Sequence, residues 1–206
     1  MQSFIVCCFA TIDTPYEEIA ESHLLPSLQK LNIEYNYTKI ENLGNWNRNT
    51  GFKPSFALQM LDIHKDRNIV LLDVDARVEK YPEIFDTIPD KYNIAAHILD
   101  QNLWFQRKNT KKELLSGSLF IRNNERSKYL VNEWIEECRR SREWEQRSLS
   151  AILALNNERI YELPLSYCYM DTLPDGRQPH IKVDEVIIRH FQASRICKPF
   201  VRKIHE

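Results

Sequence analysis

The sequence predicts an α/β fold in which a mixed, Rossmann-like sheet is flanked by helices. It is read as a single domain over residues 1–206, with 191–206 as a C-terminal tail. Three observations predict it. In the first half, short apolar runs alternate with stretches of helical periodicity, the pattern of parallel strands joined by crossover helices. In the second half strands and helices follow each other less regularly, which points to a mixed sheet. One apolar run, "NIVLLDVDARV" from Asn68 to Val78, ends abruptly in two aspartates, as a buried strand does when it reaches a site.

Phe4–Ala10 is apolar throughout and reads as a buried first strand. In "TPYE", Thr14 is placed to cap a helix, with Pro15 at its first position and Glu17 closing a capping box. That helix is expected to run toward Leu31, broken or kinked at Pro26. Ile33, Tyr35 and Tyr37 alternate, so a second strand follows. "ENLGNWNRNTG" reads as a polar loop, and Phe52, Phe56, Met60 and Ile63 recur at helical spacing. The strand Ile69–Leu72 comes next, then a turn-rich stretch, then the strand "NIAAHIL". The polar connection from Asp100 to Glu113 carries Trp104 and Phe105 and is a candidate lid. "LLSGSLFIRN" is a strand with glycine at its centre. Leu130, Val131, Trp134, Ile135 and Cys138 mark an amphipathic helix, and "EWEQRSLSAILAL" marks another. "EVIIRH" is the last strand.

A length of 206 residues suffices to bury a substantial core, and a net charge of −1 gives no global argument for nucleic acid. The clusters "RKNTKK" and "RRSREWEQR" would hold an anionic acceptor if they shared a face. No apolar run is long enough to span a membrane. The five cysteines lack metal-site spacing and read as buried, reduced thiols, from which a cytoplasmic location is expected. No nucleophile elbow, phosphate-binding loop or dinucleotide fingerprint is present.

Asp73 and Asp75 stand at the carboxyl end of a strand, where open α/β sheets bind ligands. Residues two apart in an extended segment point to the same side, so the two carboxylates would converge. Such a pair repels unless a cation joins it. Mn²⁺ or Mg²⁺ suits carboxylate oxygens and retains positions for substrate phosphates.

From Gly51 to Asp86 the chain resembles the middle of the GT-A-fold glycosyltransferases, closest to the retaining glycogenin and galactosyltransferase-like families. "LLSGSLFIRNNERSKYLVNEWIEE", "WEQRSLSAIL" and "RHFQASRICKPF" are similar to their later motifs, in the same order. Glu145 stands where those families have aspartate, Ala193 where they have glycine, and Phe200 where they have tryptophan; Lys198 comes two residues late. The resemblance implies a metal-dependent hexosyltransferase that takes a nucleotide-diphosphate sugar, UDP-linked first, and transfers it with retention to an unknown glycan, protein or nucleic-acid acceptor. It implies Asp73, Asp75 and His190 as metal ligands. Thr11 and Tyr16 would meet the base and ribose, with Lys53, Asp73, Ser116, Gly117, Ser118 and Lys198 also on the donor. Glu145, Gln146 and Asp75 would act at the reacting centre. Two alternatives are a haloacid-dehalogenase-like phosphatase, which also places D-x-D after a strand, and a non-catalytic nucleotide-sugar-binding protein of the same fold.

Overall fold

The computed structural model describes residues 2–102, 112–172, 181 and 183–197. Most of the candidate lid, with Trp104 and Phe105, lies outside the described residues, as do Lys198 and Phe200. Two sheets are present among the described residues. The larger holds β1 (Phe4–Thr11), β2 (Tyr35–Ile40), β3 (Asn68–Leu72), β5 (Ile94–Asp100), β6 (Lys112–Ile121) and β7 (Ile160–Glu162) in the order β2-β1-β3-β6-β5-β7. β6 runs antiparallel to both its neighbours; the other pairings are parallel, so the sheet is mixed as expected. The smaller sheet holds β4 (Ala76–Val78), β8 (Tyr169–Met170) and β9 (Ile188–His190) in the order β4-β9-β8.

Strand alternation divides the core. Phe4, Val6, Cys8, Val70, Leu72 and Phe120 face one side, against the helical segment that follows β1. Ile5, Cys7, Ile69, Leu71, Leu119 and Ile121 face the other. That second side is covered by α4 (Lys53–Ile63), α6 (Glu125–Ser141) and α7 (Glu145–Leu155), which supply Phe56, Trp134 and Leu149. Burying a Phe or Leu fully contributes about 1.5–3 kcal/mol, so both apolar faces are needed to hold the central strands.

From β1 the chain crosses to β2 on one side and returns to β3 on the other. The crevice at the carboxyl ends of β1 and β3 is therefore the switch point of the sheet, the usual ligand position in this class. Two irregularities shape it. Ala96 of β5 lies opposite Leu119 while His97 lies opposite Leu115, so Ser116, Gly117 and Ser118 bulge out of the β5–β6 ladder. β6 nevertheless stays joined to the β3 exit, where the Asp73 N–H donates to the Gly117 carbonyl at 2.9 Å. In the small sheet, Ala76 pairs with His190, which brings the chain's last strand beside the residue after Asp75.

Several local expectations are corrected. Thr14 precedes α1 (Pro15–Ile19), but its hydroxyl donates back to the Thr11 carbonyl at 2.7 Å, and Glu17 pairs with Lys39 instead of closing a capping box. Pro26 does not break the helix. A π-helical turn, Ala20–Leu24, sits between α1 and α2 (Leu25–Lys30) and places the proline in the first turn of α2, where no N–H is required of it. The polar loop contains α3 (Trp46–Thr50), capped by Asn45, whose side chain accepts from the Arg48 N–H. Ile63, expected on the apolar face of α4, is 61% exposed. The turn-rich stretch holds α5 (Ile84–Thr87). At the start of the tail, the Phe191 N–H donates to the Asp75 carbonyl, and Ser194–Cys197 forms α8.

Trp134 is fully buried, and its indole N–H donates to the Glu145 carbonyl at 2.7 Å, tying α6 to the start of α7. Trp134→Phe deletes that bond and trims a fully buried ring. It is expected to lower the urea-unfolding free energy by about 1–3 kcal/mol, measured by the shift in midpoint at unchanged slope.

Candidate functional site

The crevice at the ends of β1 and β3 opens into a cleft of about 210 Å³. Thr11, Tyr16, Lys53, Asp73, Asp75, Ser116, Gly117, Glu145, Gln146 and His190 all line it. Ser118 does not. It is fully buried behind His190, with its hydroxyl 2.9 Å from Nε2, so it orients the imidazole and does not face a donor. Lys198 lies outside the described residues.

Asp73 and Asp75 converge, but not through strand alternation. β3 ends at Leu72, and the next four residues form a turn closed by the Ala76 N–H on the Asp73 carbonyl at 2.9 Å. One oxygen of Asp73, one of Asp75 and a ring nitrogen of His190 all lie within 4.8 Å of one another. The Asp75 carboxylate accepts from the Ala193 N–H at 2.7 Å and faces His190 Nδ1 at 3.7 Å. Burial opposes its charge, but His190 and the Ala193 N–H outweigh it and hold its pKa below the ordinary range. His190 shows the complement. Burial alone would lower its pKa; Cys168 and Asp75 beside it push it up to about 10. The site therefore draws a positive charge to this point.

Gly117 faces the same cluster. A Cβ there would stand 3.0 Å from His190 Cε1 and 3.2 Å from Asp73 Oδ2, so glycine lets the two groups approach the β6 backbone. Gly117 also lies in the β6 bulge.

Lys53 begins α4, as expected, but it is buried and its ammonium turns inward. Its Nζ lies 2.6 Å from Asp73 Oδ1 and 3.3 Å from Glu145 Oε1, and it donates to the Ser116 carbonyl and hydroxyl. Burial disfavours the cation, yet the two carboxylates outweigh it and raise its pKa. Glu145 Oε1 also accepts from the Ser116 hydroxyl at 2.8 Å, while Oε2 is buried with no hydrogen-bond partner. Gln146 bonds inward, accepting from the Ser116 N–H at 3.0 Å and donating to Glu113 at 2.9 Å.

The sequence reading missed Trp46 and Trp144, which line the cleft with ring centroids 5.7 Å apart, and Cys168 beside His190. The only sequence signal for Trp144 was its position directly before Glu145. Trp46 sat in what read as a polar loop. In the basic cluster "RRSREWEQR", Arg139, Arg140 and Arg147 make exposed surface ion pairs with Glu136, Glu137 and Glu143.

No family model matches this sequence, and no curated protein matches it. Solved structures do. A glycosyltransferase involved in glycosylation of the major capsid of PBCV-1 superposes with a TM-score of 0.68 at 12% identity, covering 94% of this chain and 95% of that one. Mouse xyloside xylosyltransferase 1 gives 0.57 at 11% identity over 93% and 98%. The galactosyltransferase LgtC, solved with donor and acceptor sugar analogues, gives 0.53 at 12% identity over 91% and 87%. The fold is that of the GT-A glycosyltransferases. The phosphatase alternative, which rested on the D-x-D alone, gains no support from this architecture. Among the described residues no helix is long and apolar enough to cross a membrane.

Two outcomes follow from the geometry. Gly117→Ala, with its Cβ against His190 and Asp73, is expected to weaken Mn²⁺ binding about tenfold or more, read by calorimetry, with secondary structure unchanged by circular dichroism. A cation at this cluster must displace the His190 proton. Because His190 stays protonated up to about pH 10, Mn²⁺ affinity should rise about tenfold per pH unit between pH 6 and 8, with one proton released per ion. The metal-free protein moves the other way. The raised pKa stabilises it fully below about pH 6.5, and that stability is lost as pH climbs toward 10.

Proposed function

We propose that this chain is a metal-dependent glycosyltransferase that moves a hexosyl group from a nucleotide-diphosphate sugar, UDP-linked first, to an acceptor with retention of configuration. One observation carries the reading: Asp73, Asp75 and His190 converge within 4.8 Å at the switch point of a GT-A-type sheet. Two carboxylates and an imidazole fit Mn²⁺ or Mg²⁺, and the Ser118 hydroxyl on Nε2 leaves Nδ1 as the ligand atom. When bound, such an ion neutralises the diphosphate as it leaves.

The chain's own residues do the rest. Tyr16 and Thr11, at the β1 exit, receive the base and ribose. Lys53 holds Asp73 and Glu145 in register and adds fixed positive charge beneath the diphosphate. Glu145 lines the cleft beside Lys53 and Ser116, where its carboxylate stabilises positive charge growing at the anomeric carbon or takes a hydroxyl proton. Gln146 fixes the Ser116 backbone, so the β6 bulge keeps its shape when ligand enters. The five unpaired cysteines accord with a reducing compartment, and we assign the protein to the cytoplasm on that basis.

Titration of UDP and of GDP, with Mn²⁺ and with EDTA, tests the donor site. One nucleotide should bind only with the metal, and Asp75→Ala should weaken it about a hundredfold or more without unfolding the protein. Metal-independent binding, or none, would overturn the reading. Glu145→Gln keeps the shape and removes the charge. It should lower transfer or donor hydrolysis by about 10²–10³ while leaving nucleotide affinity near that of the native protein.

A further inference from the structure

Trp144 has no role in the donor site, and Trp46, which reaches Tyr16 there, also meets the Trp144 ring. Each occupies a position that local stability would give to another residue. Trp144 is the N-cap of α7 and makes no side-chain cap, although small polar residues are strongly preferred there. Trp46 opens α3, a helix of five residues. The asparagine network around it is elaborate for so short an element: Asn45 caps the helix, and buried Asn49 accepts from the Leu43 N–H at 2.7 Å and donates to Asn42. This network holds a large aromatic ring at the cleft while leaving it half-exposed.

The two rings come from segments nearly a hundred residues apart in sequence and meet with centroids 5.7 Å apart, inclined at 51°. That separation leaves no slot for a flat base between them. An occupant must lie against their outward faces. Trp144 directly precedes Glu145 in the chain and lines the same cleft, so the platform adjoins the carboxylate assigned to the reacting sugar. A pyranose matches this surface. Its axial C–H bonds form an apolar face that stacks on indole, and its equatorial hydroxyls reach outward to water and polar side chains.

We infer that Trp46 and Trp144 form the acceptor subsite, and that the acceptor presents an uncharged pyranose with an unobstructed C–H face. This rests on the glycosyltransferase reading above and names the substrate class of the same cleft. A nucleobase on the same rings is the competing occupant, and it differs in what the variants would damage.

Saturation-transfer NMR with methyl β-D-glucopyranoside and methyl β-D-galactopyranoside, recorded with UDP and Mn²⁺ present, tests the inference. At least one glycoside should receive saturation on its ring protons from the native protein. Trp144→Leu, which fills the space without an aromatic face, should abolish it; Trp144→Phe should retain part of it. UDP affinity, titrated on the same samples, should change less than twofold in both variants. Loss of UDP binding in Trp144→Leu would assign the rings to the base and overturn the inference. So would native protein that binds UDP yet saturates neither glycoside, or Leu and Phe variants indistinguishable from native. Glycoside binding that depends on Trp144 in a protein that binds no nucleotide would uphold the platform and sink the donor reading instead.

Discussion

The ammonium of Lys53 is withdrawn from water and shared between Asp73 at 2.6 Å and Glu145 at 3.3 Å. Desolvating a lone cation costs several kcal/mol, and only close, well-oriented partners offset it. Its place at the start of a helix adds a further penalty of about 0.3–1 kcal/mol from the helix dipole. The position is stable because four elements meet there. α4 delivers the lysine, the β3 exit gives Asp73, the β6 bulge gives the Ser116 carbonyl and hydroxyl, and α7 gives Glu145. Each of these elements is in turn secured elsewhere: the bulge by Gln146, the start of α7 by the Trp134 indole.

Charge is not balanced around this hub. Asp73, Asp75 and Glu145 bring three carboxylates, against which Lys53 is one fixed cation. Beside Asp75, His190 is driven toward its protonated form. The proton on the imidazole and a divalent ion thus answer the same electrostatic demand. Among the described residues Glu145 Oε2 is a buried acceptor without a hydrogen-bond partner.

Much of this was legible in the sequence because it is carried by short-range pattern. The strands β1 and β3 are almost wholly apolar, β5 and β6 largely so, and the D-x-D announces itself by ending β3. Features that depend on distant partners were not legible. Glu17 has a capping role open to it locally, and only the fold brings Lys39 near enough to take it. Ser118 is two residues from Ser116 on the same strand, yet the bulge and the arrival of β9 put it behind the imidazole. α3 is too short to show a period, and its asparagines read as loop until their hydrogen bonds are seen to close on one another. The rings of Trp46 and Trp144 belong to the same class: neither residue is conspicuous alone.

The hydrogen bond from the Ala193 N–H to Asp75 joins residues 118 positions apart. A ribosome releases Asp75 long before it has made the segment that completes its environment. Until then the β3 exit carries acid groups with neither the backbone donor nor His190 to steady them, and the cleft has no competent form. The sheet can collapse early on its apolar faces while the surroundings of Asp75 wait for residues 190 and 193. A nascent polypeptide that stops short of them would therefore be folded in outline yet lack the completed Asp73, Asp75 and His190 cluster.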